Sequence, residues 1–223
     1  MTTKRIALPM LCALAVIVLI GCEDFTKDKP KATINGPTET PPAEGSVAPA
    51  ETTPPPEAAA ATVYKLTEET SIDFEGSKTI DTHVGGFENI EGTITIPSDN
   101  PEKAVIEVVI DMTSTYSDNR LLTTVLKGDD FFNIAKYPTS TFKSSKIEKT
   151  ADGYNITGTL DLRGVAKSIT FPATVKVSED RITAEAEFVV DRSWWNVGYA
   201  DWKGELIKNE VLLVFAVDAA LEQ

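Results

Sequence analysis

From residue 63 to the end of the chain, apolar and polar side chains alternate with a period of two, which places successive residues on opposite faces of β-strands. Ile72 and Phe74 alternate with Asp73 and Glu75, Ile94 and Ile96 with Thr93 and Thr95, and Ile106, Val108, Ile110 and Met112 form a third row. Longer rows follow: Tyr154, Ile156, Gly158, Leu160 and Leu162, then Ile169, Phe171, Ala173, Val175 and Val177. Ile182, Ala184, Ala186, Phe188 and Val190 make the next, and Val211, Leu213, Phe215 and Val217 the last. Asn155, Thr157, Asp161, Lys176, Glu185 and Glu187 fill the opposite faces, so these read as antiparallel strands wet on one side. Turn signals separate them at 97–101, Asp152-Gly153, Arg163-Gly164, 178–180 and Lys208-Asn209.

About eight strands in roughly 160 residues, with one short helix, fit a closed barrel or a sandwich. Rows of five alternating positions favour the all-β antiparallel barrel, because tilted barrel strands are long and closure removes exposed edges. The rows carry Gly158, Ala173, Ala184 and Ala186 among large residues. Small inward side chains either leave a cavity or interdigitate with large ones, and the pattern is compatible with both.

Residues 126–142 join the helix to a strand and hold Phe131, Phe132, Tyr137 and Phe142 among few polar positions. So many rings in a connection must bury against something. Upstream, Leu121, Leu122, Val125 and Leu126 share one helical face, Ser117 or Asp118 suits the N-cap, and Gly128 suits the stop. Tyr137-Pro138 forces the chain extended before the next strand.

Phe131-Phe132, Tyr137-Pro138 and Thr141-Phe142 together resemble a segment of the YceI-like lipid-binding family. Further likenesses are Gly85-Gly86-Phe87 leading to Gly92-Thr93-Ile94, the run from Thr157 to Val165 followed by Lys167, and Phe188 with Asp191-Arg192. They run in order from about residue 74 to 217. Where the family usually follows Asp-Arg with a polar residue, one aromatic and Gly, this chain reads Ser193-Trp194-Trp195-Asn196-Val197-Gly198. The resemblance implies a lipocalin-like barrel of about eight strands enclosing a polyisoprenoid or quinone-like lipid, with no enzymatic activity, catalytic residue, metal or other cofactor. On that reading the pocket candidates are Phe74, Phe87, Phe131, Phe132, Phe142, Ile156, Leu160, Phe171, Ala184, Ala186, Phe188 and Trp194. The spacing of Gly76, Ser77, Lys78, His83 and Gly85 also resembles the family, which makes His83 a polar candidate at the pocket mouth.

Lys4 and Arg5 precede an apolar run over residues 6–20, a basic region and core of signal-peptide type. The run is short for a spanning helix, which needs about 20 residues. Leu19-Ile20-Gly21-Cys22 resembles the bacterial lipobox, in which the cysteine receives a diacylglyceryl thioether; the alternative is an ordinary signal peptide with an incidental cysteine. Cleavage would remove residues 1–21 with Cys12 and leave Cys22 acylated, so that the mature chain has no disulfide or reactive thiol. The localisation then expected is the cell envelope, with the protein lipid-anchored to a membrane and facing the periplasm or exterior.

Residues 23–62 carry eight of the 13 prolines and almost no apolar periodicity, so residues 22–62 read as a disordered tether and 63–223 as the barrel domain. A coil of that length spans roughly 35 Å and would hold the barrel off the bilayer. The net charge of −13 becomes −15 once Lys4 and Arg5 are removed, which argues against nucleic acid and against docking on anionic headgroups.

His83 is the lone histidine, and with no Gly-x-Ser-x-Gly elbow its neighbourhood has triad composition without triad context. Asp129 and Asp130 are adjacent, whereas glycosidase carboxyls face each other across a groove. No EF-hand, phosphate-binding Gly loop or histidine cluster is present in the sequence. Trp194, Trp195, Tyr199 and Trp202 gather near the end of the chain, either as a rim plug or as a lid over an apolar ligand or a contact with membrane lipid during transfer. Two functions follow: a carrier that holds an amphiphilic lipid in the barrel, or a solid barrel used for protein contact in envelope stress or assembly, without a ligand.

Overall fold

The computed structural model describes residues 26–35, 61–78, 81–97, 100–199 and 207–222. In chain order the elements are β1 Thr33–Asn35, β2 Ala61–Leu66, β3 Ser71–Lys78, β4 Thr82–Phe87, β5 Ile90–Pro97, β6 Val105–Asp111 and β7 Thr115–Ser117. Helix α1 follows at Arg120–Lys127, then β8 Thr139–Lys149, β9 Tyr154–Leu162, β10 Val165–Val177, β11 Arg181–Asp191 and β12 Ile207–Leu221.

Among the described residues, eight antiparallel strands close a ring in the order β10, β9, β8, β6, β5, β2, β12, β11 and back to β10. The period-two rows point inward: Ile72, Ile110, Ile156, Ile169, Phe171, Phe188 and Val190 belong to one buried core. The length of β12 lets it serve two neighbours. Its C-terminal end pairs with β2 and its N-terminal part with β3, from which β4 and β7 branch and carry α1 over one end of the barrel.

The ring is unevenly closed at one seam. Strands β10 and β11 pair only from Thr174↔Glu185 to Val177↔Ile182, next to their turn, and then diverge. The gap is filled by β1, which pairs with β10 at Thr33↔Thr170, Ile34↔Ile169 and Asn35↔Ser168. On its other side Lys31 bridges Val189 in parallel, with Ala32 N–H donating to Val189 O at 2.8 Å and Val189 N–H to Pro30 O at 2.9 Å. Ala32 joins the barrel core and Thr26 is 1% exposed. The expectation of a disordered tether over 22–62 is therefore corrected for residues 26–35, which are part of the barrel wall, and for residues 61–62, which open β2; residues 22–25 and 36–60 lie outside the described ones.

Two smaller expectations also change. Asn119, not Ser117 or Asp118, caps α1 by accepting from the N–H groups of Leu121 and Leu122, because Asp118 is engaged by His83 and Val84. Lys208-Asn209, expected as a turn, lies inside β12, where the register with β3 shifts between Ile207 and Val211. An irregularity in a continuing strand and a reversal recruit the same residue types, and only the pairing separates them.

Candidate functional site

Two cavities lie end to end inside the barrel, of about 130 Å³ and about 180 Å³. They share a boundary made by Ile72, Ile110, Leu160, Leu213 and Phe215. Near it three rings from the neighbouring strands β10, β11 and β12 pack in one layer: Phe171 stacks on Phe188 with centroids 4.4 Å apart, and Phe215 meets both edge-on at 5.9 and 5.2 Å.

The first cavity lies at the end that carries the turn between β10 and β11. Its walls include Phe142, Ile156, Leu160, Phe171, Ala184 and Ala186. Thr70 and Glu185 are its polar residues.

The second cavity lies under α1. Phe74, Phe87 and Phe132 form a triangle of rings 5.9 to 6.2 Å apart on its wall, and Phe131 and Leu160 line it as well. Its polar residues are Ser77, Lys78, His83, Ser140, Arg192 and Lys208. His83 sits among them with Nδ1 3.0 Å from Asp118 Oδ1 and Nε2 3.3 Å from Asp81 Oδ2. Both ring nitrogens thus face carboxylates on the barrel's outer edge, an arrangement that orients the imidazole without supplying a nucleophile.

Two pocket candidates are placed elsewhere. Phe188 is fully buried between Phe171 and Phe215 and lines neither cavity, so it is packing for the ring layer. Trp194 lies outside the cavity walls, packed against Trp195, and it is Trp195 that lines the second cavity, 1% exposed and donating from Nε1 to Leu160 O at 3.2 Å. The cause is local: Arg192–Trp195 forms a single 3-10 turn, started by Asp191 and ended by a left-handed Asn196, which turns Trp195 inward. Trp202 lies outside the described residues.

The end of the barrel is locked by two arginines on backbone carbonyls. Arg192 donates to the carbonyls of Lys208, Val197 and Ile207, and its burial lowers its pKa from the usual guanidinium value. Arg163 donates to Asn196 O and, at 2.6 Å, to Asp129 O, tying the turn after β11 to the aromatic connection after α1. Asp130 contributes its backbone carbonyl, which accepts from Gly198 N–H at 2.7 Å, so the Asp129-Asp130 pair is used structurally. Among the described residues no group of three His, Cys, Asp or Glu is placed to hold a metal ion.

Small residues of the interior divide into two kinds. A methyl group at Gly158 would fall 2.3 Å from the ring of Phe142, so small against large is the arrangement there. At Gly76 nothing lies within 4 Å of that position, and the residue borders the second cavity. The alternating rows singled out Gly158, and Gly76 entered only through its family-like spacing, so the pattern did not separate a filled glycine position from an open one.

A family model described as YceI-like domain matches residues 64–219. The curated protein YceI of Escherichia coli O17:K52:H18 is 38% identical over 89 residues, 40% of this chain and 47% of that protein, so the chain matches less than half the length of this relative. Among solved structures, Burkholderia cenocepacia BcnA is similar with a TM-score of 0.63 and 25% identity, over 68% of this chain and 97% of that one. A polyisoprenoid binding domain from Saccharophagus degradans, implicated in plant cell wall breakdown, superposes with a TM-score of 0.57 at 20% identity, over 71% of this chain and 98% of that one. At that identity the likeness is one of fold.

Proposed function

The chain belongs to the YceI-like family, and from that premise we propose that it holds one long amphiphilic lipid of polyisoprenoid type along the barrel axis, as a non-enzymatic carrier anchored to a membrane through Cys22. The observation that carries this reading is the pair of apolar cavities meeting end to end. Each is smaller than the roughly 300 Å³ at which pockets for compact drug-sized molecules begin. A slim chain that extends from one into the other fits better than a compact ligand. Burial of its hydrocarbon at about 25 cal/mol per Å² supplies the affinity. The polar residues around the second cavity, His83 among them, suit the head group.

The rival is a solid barrel that contacts other proteins, and the packed layer of Phe171, Phe188 and Phe215 favours it. Native mass spectrometry of the Cys22→Ala protein, which keeps residues 26–35 and cannot carry the acyl chains, separates the two. The carrier shows a homogeneous apolar adduct that organic solvent extracts. A bare mass from a lipid-containing host leaves the solid barrel. Gly76→Leu is the matched variant: its side chain enters open space, so the fold should persist while bound lipid falls. Unchanged lipid in folded Gly76→Leu would show that the second cavity is not used.

A further inference from the structure

The segment before β1 crosses the outside of the barrel before it enters the seam. Residues 26–29 form a turn, with Lys29 N–H donating to Thr26 O. Thr26 Oγ1 donates to Glu210 Oε2 at 3.1 Å, Lys29 pairs with Glu187 at 2.7 Å, and Lys31 pairs with Glu210. Val189 and Leu212, cross-strand partners that alternate with inward neighbours, are both buried in this part of the wall. The strap is thus fixed by backbone bonds, ion pairs and burial together.

Its position decides which end of the barrel a lipid on Cys22 can reach. Glu210 faces Asp191, which starts the 3-10 turn of Trp195, and its neighbours Lys208 and Val211 line the second cavity. Cys22 precedes Thr26 by four residues, a reach of at most about 14 Å. The opposite end, at Ala220, is ten residues further along β12, about 33 Å away at strand rise. An acylated Cys22 can therefore bring only the α1 end to a bilayer.

Both ends carry exposed apolar side chains, Val177 and Leu221 at 46% and 40% at the far one, but the most exposed of those among the described residues lies at the α1 end. Leu122 and Leu126 of α1 face the second cavity, whereas Leu121 and Val125, one helical turn apart, are 79% and 44% exposed. The basic Arg120 and Lys127 of this helix are offset by Asp118, Asp129 and Asp130 beside its two ends, so a contact made by this end rests on the apolar side chains and not on charge. Tyr199, 42% exposed, stands on Phe131 at the same end.

We propose that the strap of residues 26–32 docks the barrel with its α1 end on the membrane, Leu121 and Val125 entering the headgroup layer, so that the second cavity opens toward the bilayer and the first away from it. This rests on acylation of Cys22, which the experiment reads separately. The acylated full chain is reconstituted into zwitterionic phosphatidylethanolamine–phosphatidylcholine vesicles with a bimane label on Leu121→Cys or, at the far end, on Lys103→Cys, and quenched by doxyl-labelled lipid. Quenching several-fold stronger at 121 than at 103 is expected, and Lys29→Glu/Lys31→Glu, which repels the strap from Glu187 and Glu210, should abolish the difference while the protein stays on the vesicles. Equal quenching at the two sites, stronger quenching at 103, or a difference that survives in the folded double variant overturns the proposal. Should the double variant not fold, the two labels on the unaltered strap still decide. Mass spectrometry reports Cys22: a bare thiol removes the anchoring reading and the orientation with it, whereas an acylated chain without preferential quenching at 121 overturns the orientation alone.

Discussion

Gly198 shows how much of the barrel end depends on one residue. It has φ +97°, and a methyl group there would fall 1.8 Å from Arg192 Nη1. Gly198→Ala must adopt a backbone disfavoured for L-residues and push Arg192 off the carbonyls it serves. A loss of about 1–3 kcal/mol is expected in urea unfolding. Glu75 on the outer wall is a different kind of site. Burial first, then Glu187, raise its pKa, and Lys29 of the strap opposes them. With the folded pKa raised, the neutral acid is favoured in the folded state, so stability falls as pH climbs from the ordinary carboxylate value through the raised one. Glu75→Gln should therefore raise the melting temperature at pH 7 and leave it nearly unchanged at pH 3.5, which thermal scans at the two values will show. Which residues turned inward was legible wherever alternation held, as with Phe74 and Phe171. It failed at Trp194 and Trp195, where a 3-10 turn replaces the strand and the period no longer tells which neighbour faces the core.

At the scale of elements, strands with five alternating positions could be read directly, since a one-residue slip would turn a whole row to solvent. Helix α1 was legible in its inward face but not in its start. Three consecutive residues, Ser117, Asp118 and Asn119, can all cap a helix, and the choice fell to the one not already bonded elsewhere. Asn119→Ala should cost about 1 kcal/mol and, if the barrel carries lipid as proposed, loosen it as well, because Leu122 and Leu126 line the second cavity. Denaturant midpoints and lipid retention on dilution check the two effects. Strand β1 could not have been found by pattern. It is three residues long, exposed on both faces, and lies in a proline- and threonine-rich context that resembles a linker. Its stability comes from the vacancy between β10 and β11, a property of other parts of the chain.

The whole barrel therefore extends beyond the region with the alternating pattern. A chain trimmed to begin at residue 61 keeps every long row but leaves the backbone groups of residues 168–170 and of Val189 without the partners that β1 and its approach supply. Such edges pair with other chains. The trimmed protein should unfold at lower urea than the chain beginning at Cys22 and elute partly as oligomers in size-exclusion chromatography, and equal behaviour of the two would show that the seam closes without the strap. The seam also has a consequence in time. Thr26 meets Glu210 across 184 residues of sequence, and Thr33 meets Thr170, so the first residues of this unit to be synthesised have partners among the last. Local hairpins such as β9–β10 and β10–β11 can form early, while contacts across so long a loop carry the largest closure entropy. That closure entropy favours an order in which the interior is walled before it is sealed, with the short segment the last to reach a slot already cut for it.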